Sequence, residues 1–83
     1  MIPLTIEELR QDLRVEADQF IQENPDSFVA RVRPRLIRQG EEHWWAAEGP
    51  DVERGVAGFG SSIREALENF EKNCQLMRMA RPS

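Results

Sequence analysis

Two stretches in which apolar residues recur every three or four positions flank a middle in which they alternate in twos. That change of period restricts the chain to a mixed fold, with helices at both ends and a small sheet between them. The carboxy-terminal stretch is the better marked. Ser62 stands as an N-cap with Glu65 three residues on, the spacing of a capping box. Ile63, Ala66, Leu67, Phe70, Cys74 and Met77 then line one helical face. The amino-terminal stretch repeats the scheme. Thr5 and Glu8 form a second capping box, Leu4 and Leu9 occupy the positions of a hydrophobic staple, and Ile6, Leu9, Leu13, Ala17 and Phe20 make the stripe. Asn24-Pro25-Asp26-Ser27 ends it, because proline disfavours helical geometry in the residue before it.

The middle reads as three strands. Phe28 to Ile37 is the expected first strand, with Phe28, Ala30 and Val32 alternating with Val29, Arg31 and Arg33. Pro34 lacks a backbone donor, so the strand lies at an edge, bulges, or ends there. Gln39-Gly40-Glu41-Glu42 is the expected turn, and His43 to Glu48 the second strand, paired with the first as a hairpin. Gly49-Pro50-Asp51 breaks it, and Val56 to Phe59, between Gly55 and Gly60, is the third. The expectation is therefore one α+β domain over residues 1–83. Residues 1–24 supply an additional helix. Residues 28–79 form a three-stranded antiparallel sheet with the carboxy-terminal helix packed along it. Ala80 to Ser83 is expected to fray.

Composition narrows the function. A chain of 83 residues has room for one thin core and little for a deep enclosed active site. No apolar run approaches the ~20 residues of a membrane helix. Met1-Ile2-Pro3-Leu4 lacks the basic and apolar regions of a signal peptide, so the expected location is cytoplasmic, with no membrane partner. Cys74, the only cysteine, excludes an intramolecular disulfide and a zinc cluster of thiolates. The net charge is −4, yet it is unevenly spread: residues 27–40 hold four arginines and no acid, while the flanking segments are acidic.

Candidate catalytic groups stand without the company that chemistry requires. His43, the only histidine, has Glu41 and Glu42 beside it, but in a turn where acids are solvated. Cys74 falls on the apolar stripe, which marks a buried, inert thiol. Glu48, Asp51 and Glu53 cluster in sequence, but the strand interiors hold Trp, Ala, Val and Phe where a two-metal nuclease needs acids. Gly58 and Gly60 lack the third glycine and the lysine of a phosphate loop. No enzyme activity, metal or cofactor is expected; a metal-dependent nuclease is the alternative from the catalytic class.

The features that remain belong to recognition. Arg31, Arg33, Arg35 and Arg38 make a basic stripe, and on the expected strand Arg31 and Arg33 share one face. This stripe serves as a solvated face paired with acids of the first helix, or as a surface for a protein. The acidic balance opposes strong nucleic-acid binding. Trp44 and Trp45 are neighbours on a strand, so they point to opposite faces and cannot both enter a one-sided core. One packs under the helices. The other is covered by the extra helix, a second subunit or a partner. Trp44, Trp45, Arg31, Arg33 and Arg35 are thus the expected partner-binding residues, and self-association at least to a dimer is expected.

One family resemblance follows from the stretch Trp45-Ala46-Ala47-Glu48-Gly49-Pro50-Asp51-Val52 and then Gly55-Val56-Ala57-Gly58-Phe59-Gly60-Ser61-Ser62-Ile63-Arg64-Glu65-Ala66-Leu67. It resembles the antitoxin half of HicA/HicB toxin–antitoxin pairs. That family has an aromatic strand, a Pro-Asp turn, a short strand between two glycines, and a turn that opens a Glu-Glu-Ala-Leu helix. Gly55 and Gly60 match the glycine spacing, and Ser61-Ser62 stands where Asp-Thr is usual. The family's second proline is replaced by Glu53-Arg54 with one extra residue, and the amino-terminal helix is additional. The resemblance implies a truncated ribonuclease H fold without its catalytic acids, binding and neutralising a small ribonuclease toxin. Residues after 80 are too few for the DNA-binding module that such antitoxins usually append, so the resemblance speaks for partner binding and not for operon autoregulation. The alternative is a homo-oligomeric accessory or phage-type protein that binds another protein.

Overall fold

A computed structural model describes residues 3–48 and 55–80, with side chains to residue 77. A 3₁₀ turn, Ile6–Glu8, precedes helices α1 (Gln11–Glu23) and α2 (Phe28–Val32), strands β1 (Arg35–Gly40), β2 (His43–Glu48) and β3 (Val56–Gly60), and helix α3 (Ile63–Ala80). The sheet is antiparallel in the order β1-β2-β3, with α3 packed on it. The α+β architecture is therefore as the periodicity implies. No helix among the described residues is long and apolar enough to cross a membrane. Residues 81–83, expected to fray, lie outside the described residues.

The amino terminus departs from a single helix. The Thr5 amide donates to Glu8 Oε1 at 2.9 Å, but this capping box closes only a 3₁₀ turn. Leu9 and Arg10 are extended, so α1 begins at Gln11. The Glu8 carboxyl is held below its ordinary 4.5 by the Thr5 backbone amide first and the Thr5 hydroxyl second. A depressed pKa means that this bond's stabilisation is present above pH 4.5 and is lost as pH falls through the lowered value. Leu4 does not simply staple the helix. It exchanges two backbone hydrogen bonds of 2.8 Å with Leu36, lying beside β1 as an isolated bridge.

The expected strand from Phe28 to Ile37 is corrected. Phe28–Val32 is helical, and the strand starts only at Arg35. Two sets of acceptors cause this. The Ser27 hydroxyl takes the Ala30 amide at 3.1 Å, and the Glu71 carboxylate, reaching from α3, takes the amides of Phe28 and Val29 at 3.1 and 3.0 Å. Three amides at the start of α2 are thus satisfied, two of them by a charge 42 and 43 residues away. Arg33 ends the helix in the left-handed region at φ 51°, ψ 70°, and Pro34 prevents its continuation. That backbone costs a non-glycine residue about 1 kcal/mol. Two smaller boundaries move as well: β1 runs through Gly40, leaving Glu41–Glu42 as the turn, and β3 extends to Gly60.

One core joins all the layers. Leu36, Trp44 and Ala46 from the sheet meet Ile63, Ala66, Leu67 and Phe70 from α3, with Ala17 and Phe20 of α1, Val29 of α2, and Ile6 and Leu9 of the first turn. Helix α1 packs on α3, so both long helices lie on the same side of the sheet. Helix α3 starts where Ser62 Oγ accepts the Glu65 amide at 3.1 Å. The return arm of the capping box is displaced by one residue, with Glu65 Oε1 taking the Ser61 amide at 3.0 Å. Glu16 of α1 accepts the Arg64 amide at 2.7 Å, adding a second distant carboxylate cap.

Gly58 sets the closeness of the α3 seat. A Cβ there would lie 2.0 Å from the Phe70 amide nitrogen and 2.6 Å from the Asn69 carbonyl carbon. These are backbone atoms, which cannot swing aside. Gly58→Ala is expected to destabilise the domain by about 3 kcal/mol, the upper range for overpacking, lowering Tm by roughly 10–25 °C for a chain this size. Gly40→Ala, where a Cβ would meet nothing nearer than 3.5 Å, is the matched control and should change Tm little. Thermal unfolding followed by circular dichroism measures both.

Candidate protein-binding face

With both long helices on one side, no helix among the described residues lies over the other face of the sheet. The strand register sorts the side chains. Leu36, Ala46 and Gly58 are mutual neighbours across the sheet on the core face, as are Trp44 and Gly60. On the other face, Ile37 lies opposite Trp45 and Trp45 opposite Phe59, while Arg35, Ala47 and Ala57 form the next row. None of these outer residues is buried, and Phe59 is 49% exposed.

The outer aromatics form a cluster. The Trp45 and Phe59 rings lie 5.4 Å apart at 45°, and His43 stacks on Phe59 at 6.1 Å and 21°. Trp45 Nε1 donates to Gln39 Oε1, which fixes the indole across the strands. Past the β3 edge the surface continues into a shallow groove of about 400 Å³ where Trp45, Ala57 and Phe59 meet Lys72 and Leu76 of α3. Leu76 is 62% exposed. Aromatic residues and arginine are enriched at protein-recognition surfaces, and this face holds Trp45, Phe59 and the exposed Arg35.

The expected site residues divide on this geometry. Trp45 and Arg35 share the open face. Trp44 is only 6% exposed, in the core, with the Arg38 guanidinium 5.7 Å over its ring, so it presents no surface to a partner. Arg31 and Arg33 do not share a strand face, because their segment is helical. Arg31 is exposed on α2, and Arg33 pairs with Glu7 at 2.5 Å. The basic stripe is thereby broken up, and part of it is neutralised. Phe59, Ile37 and Leu76 are the members that sequence reading missed. The signal for Phe59 lay in Gly58-Phe59-Gly60: glycines on one face of a strand seated under a helix send the aromatic between them to the other.

The groups weighed for catalysis are dispersed. His43 is exposed at a strand end, and the Glu48 side chain is likewise exposed. Asp51 and Glu53, weighed with Glu48 as metal ligands, lie outside the described residues. Among the described residues no three His, Cys, Asp or Glu side chains are grouped to hold a metal ion. Burial pushes the Cys74 thiol up to about 11, with Glu71 and Glu48 adding to the shift.

Comparison with protein-family models, with curated proteins and with solved structures finds no match to this chain.

Cys74 offers a check on the α3 packing. Raising a thiol from 9.0 to about 11 cuts its thiolate fraction at pH 8 by roughly a hundred-fold. The greater nucleophilicity of the more basic thiolate recovers about a factor of ten. Alkylation of Cys74 by iodoacetamide at pH 8 should therefore run roughly ten-fold slower than that of an unperturbed thiol, followed by mass spectrometry.

Proposed function

We propose that this chain is a non-catalytic protein-binding module whose contact surface is the open sheet face around Trp45 and Phe59. The observation that carries the reading is the aromatic pair itself, set 5.4 Å apart on a face that no helix among the described residues covers. Covering both rings removes on the order of 200 Å² of apolar surface from water. At ~25 cal/mol per Å² that contributes about 5 kcal/mol before ordering costs. The two rings are held by a cross-strand pairing and by Gln39, so little side-chain entropy is lost when they are covered.

The partner follows from the resemblance to HicB antitoxins: a small ribonuclease toxin, met in the cytoplasm. A ribonuclease presents a cationic surface to RNA, and the net charge of −4 attracts it at long range, with the contact face itself, which holds Arg35 and Lys72, contributing through its apolar rings. The same charge opposes nucleic acid as the partner, and with Arg33 paired to Glu7 and Arg38 over Trp44 the arginine segment offers little to a phosphate backbone. A second copy of the chain is the other reading. It is favoured by the continuity of the open face with Leu76 across the groove, an apolar patch that two copies would cover mutually.

Co-expression with a small ribonuclease encoded beside this chain, and sedimentation of the chain alone, separate the two readings. In whichever complex forms, Trp45→Ala and Phe59→Ser are each expected to weaken association roughly thirty-fold or more, the scale of an interface hot spot, while leaving Tm within a few degrees. Variants that bind as the parent does would contradict the assignment of the face. So would a monomer at high concentration that captures no such ribonuclease.

A further inference from the structure

The open face is bordered by two strand edges, and each edge is occupied in a specific way. On β3, the side-chain amide of Asn69 donates to the Phe59 carbonyl and that of Asn73 to the Ala57 carbonyl, both at 2.6 Å. These carbonyls point away from β2: Leu36 turns its amide and carbonyl outward to Leu4, so its neighbour Ala46 bonds Gly58 on its other side, and Ala57 and Phe59 fall at the alternate, outward-facing positions of β3. In an antiparallel ladder the amide of such a residue points the same way as its carbonyl. Ala57 and Phe59 are therefore the two residues through which β3 would pair with a further strand. The spacings are matched: four residues of helix rise about 6.0 Å and two residues of strand about 6.7 Å, so asparagines four apart meet carbonyls two apart.

The opposite edge is filled from elsewhere. Leu4 takes the outward amide and carbonyl of Leu36, both at 2.8 Å, and Arg38 Nε donates to the Gly40 carbonyl at 3.1 Å beside an irregularity in the ladder. Unpaired strand edges are templates for pairing with other chains, and proteins that bind by other means blunt them.

We infer that Asn69 and Asn73 act as a lock on the β3 edge, excluding strand addition by a second copy or an extended peptide and confining recognition to the face of the sheet. The partner is then a folded surface laid over Trp45 and Phe59, not a strand threaded alongside β3. The edge lock rests on the strand and helix geometry, and the assignment of recognition to the face rests on the function proposed for Trp45 and Phe59.

The test is Asn69→Ala with Asn73→Ala, compared with the parent at equal concentration by sedimentation velocity and amide I infrared spectroscopy, with circular dichroism reporting the fold. The double variant should keep its helix signal, at least double its sedimenting mass relative to the parent, and gain a low-frequency band from intermolecular strands. Adding Ala57→Pro should reverse the association, because proline at this outward-facing position removes the edge donor without touching the β2 ladder. A folded double variant with the parent's mass and spectrum overturns the inference, as does association that persists after Ala57→Pro. If the double variant loses its helix signal, Asn69→Ala and Asn73→Ala made singly carry the same readouts. Folded single variants without any shift in mass then overturn it.

Discussion

Because Gly58 has no side chain, the α3 backbone at Asn69 and Phe70 rests directly on β3, and much else in the molecule is placed by that contact. It brings Ile63, Ala66, Leu67 and Phe70 down onto Leu36, Trp44 and Ala46. It sets Asn69 and Asn73 over the strand edge, within reach of its carbonyls. It also decides which side of the sheet is filled: with α3 on one face and α1 packed on α3, the helices cannot cover the other. The exposure of Trp45 and Phe59 follows from this one close approach.

Carboxylates tie the remaining pieces to that framework. Glu71 of α3 holds the first turn of α2, and Glu16 of α1 holds the first turn of α3. Each is a long-range cap in which a charged side chain satisfies amides that the receiving helix cannot satisfy itself. This explains why Phe28–Val32 could not be read from its own residues. Its alternation of apolar and polar positions suits a strand, and nothing local except Ser27 argues for a helix. The deciding acceptor is on α3, far along the chain.

What was legible had local causes. The stripe of α3, the cap at Ser62 and β2 depend on spacings within one segment, and the order β1-β2-β3 follows from the short connections between successive strands. The opposed faces of Trp44 and Trp45 follow from strand geometry alone, but which of them is covered depends on where α3 sits. The arginines were misplaced together with their strand: once Phe28–Val32 is helical, Arg31 and Arg33 leave the sheet and only Arg35 remains beside Trp45. Leu76 joins the candidate surface only through the seat of α3 on β3, and the local signal for Phe59 in Gly58-Phe59-Gly60 becomes readable once α3 lies over those glycines.

The central claim is that the uncovered sheet face is the surface a protein partner occupies. Hydroxyl-radical footprinting tests it directly, comparing the dilute chain with its complex, whether with a ribonuclease or with a second copy. Val15 and Val32 serve as internal references, being exposed apolar residues on α1 and α2. The account predicts that oxidation of Trp45 and Phe59 falls on complex formation while that of Val15 and Val32 is unchanged. A complex in which Val15 or Val32 becomes protected, and Trp45 and Phe59 react as in the free chain, would contradict it.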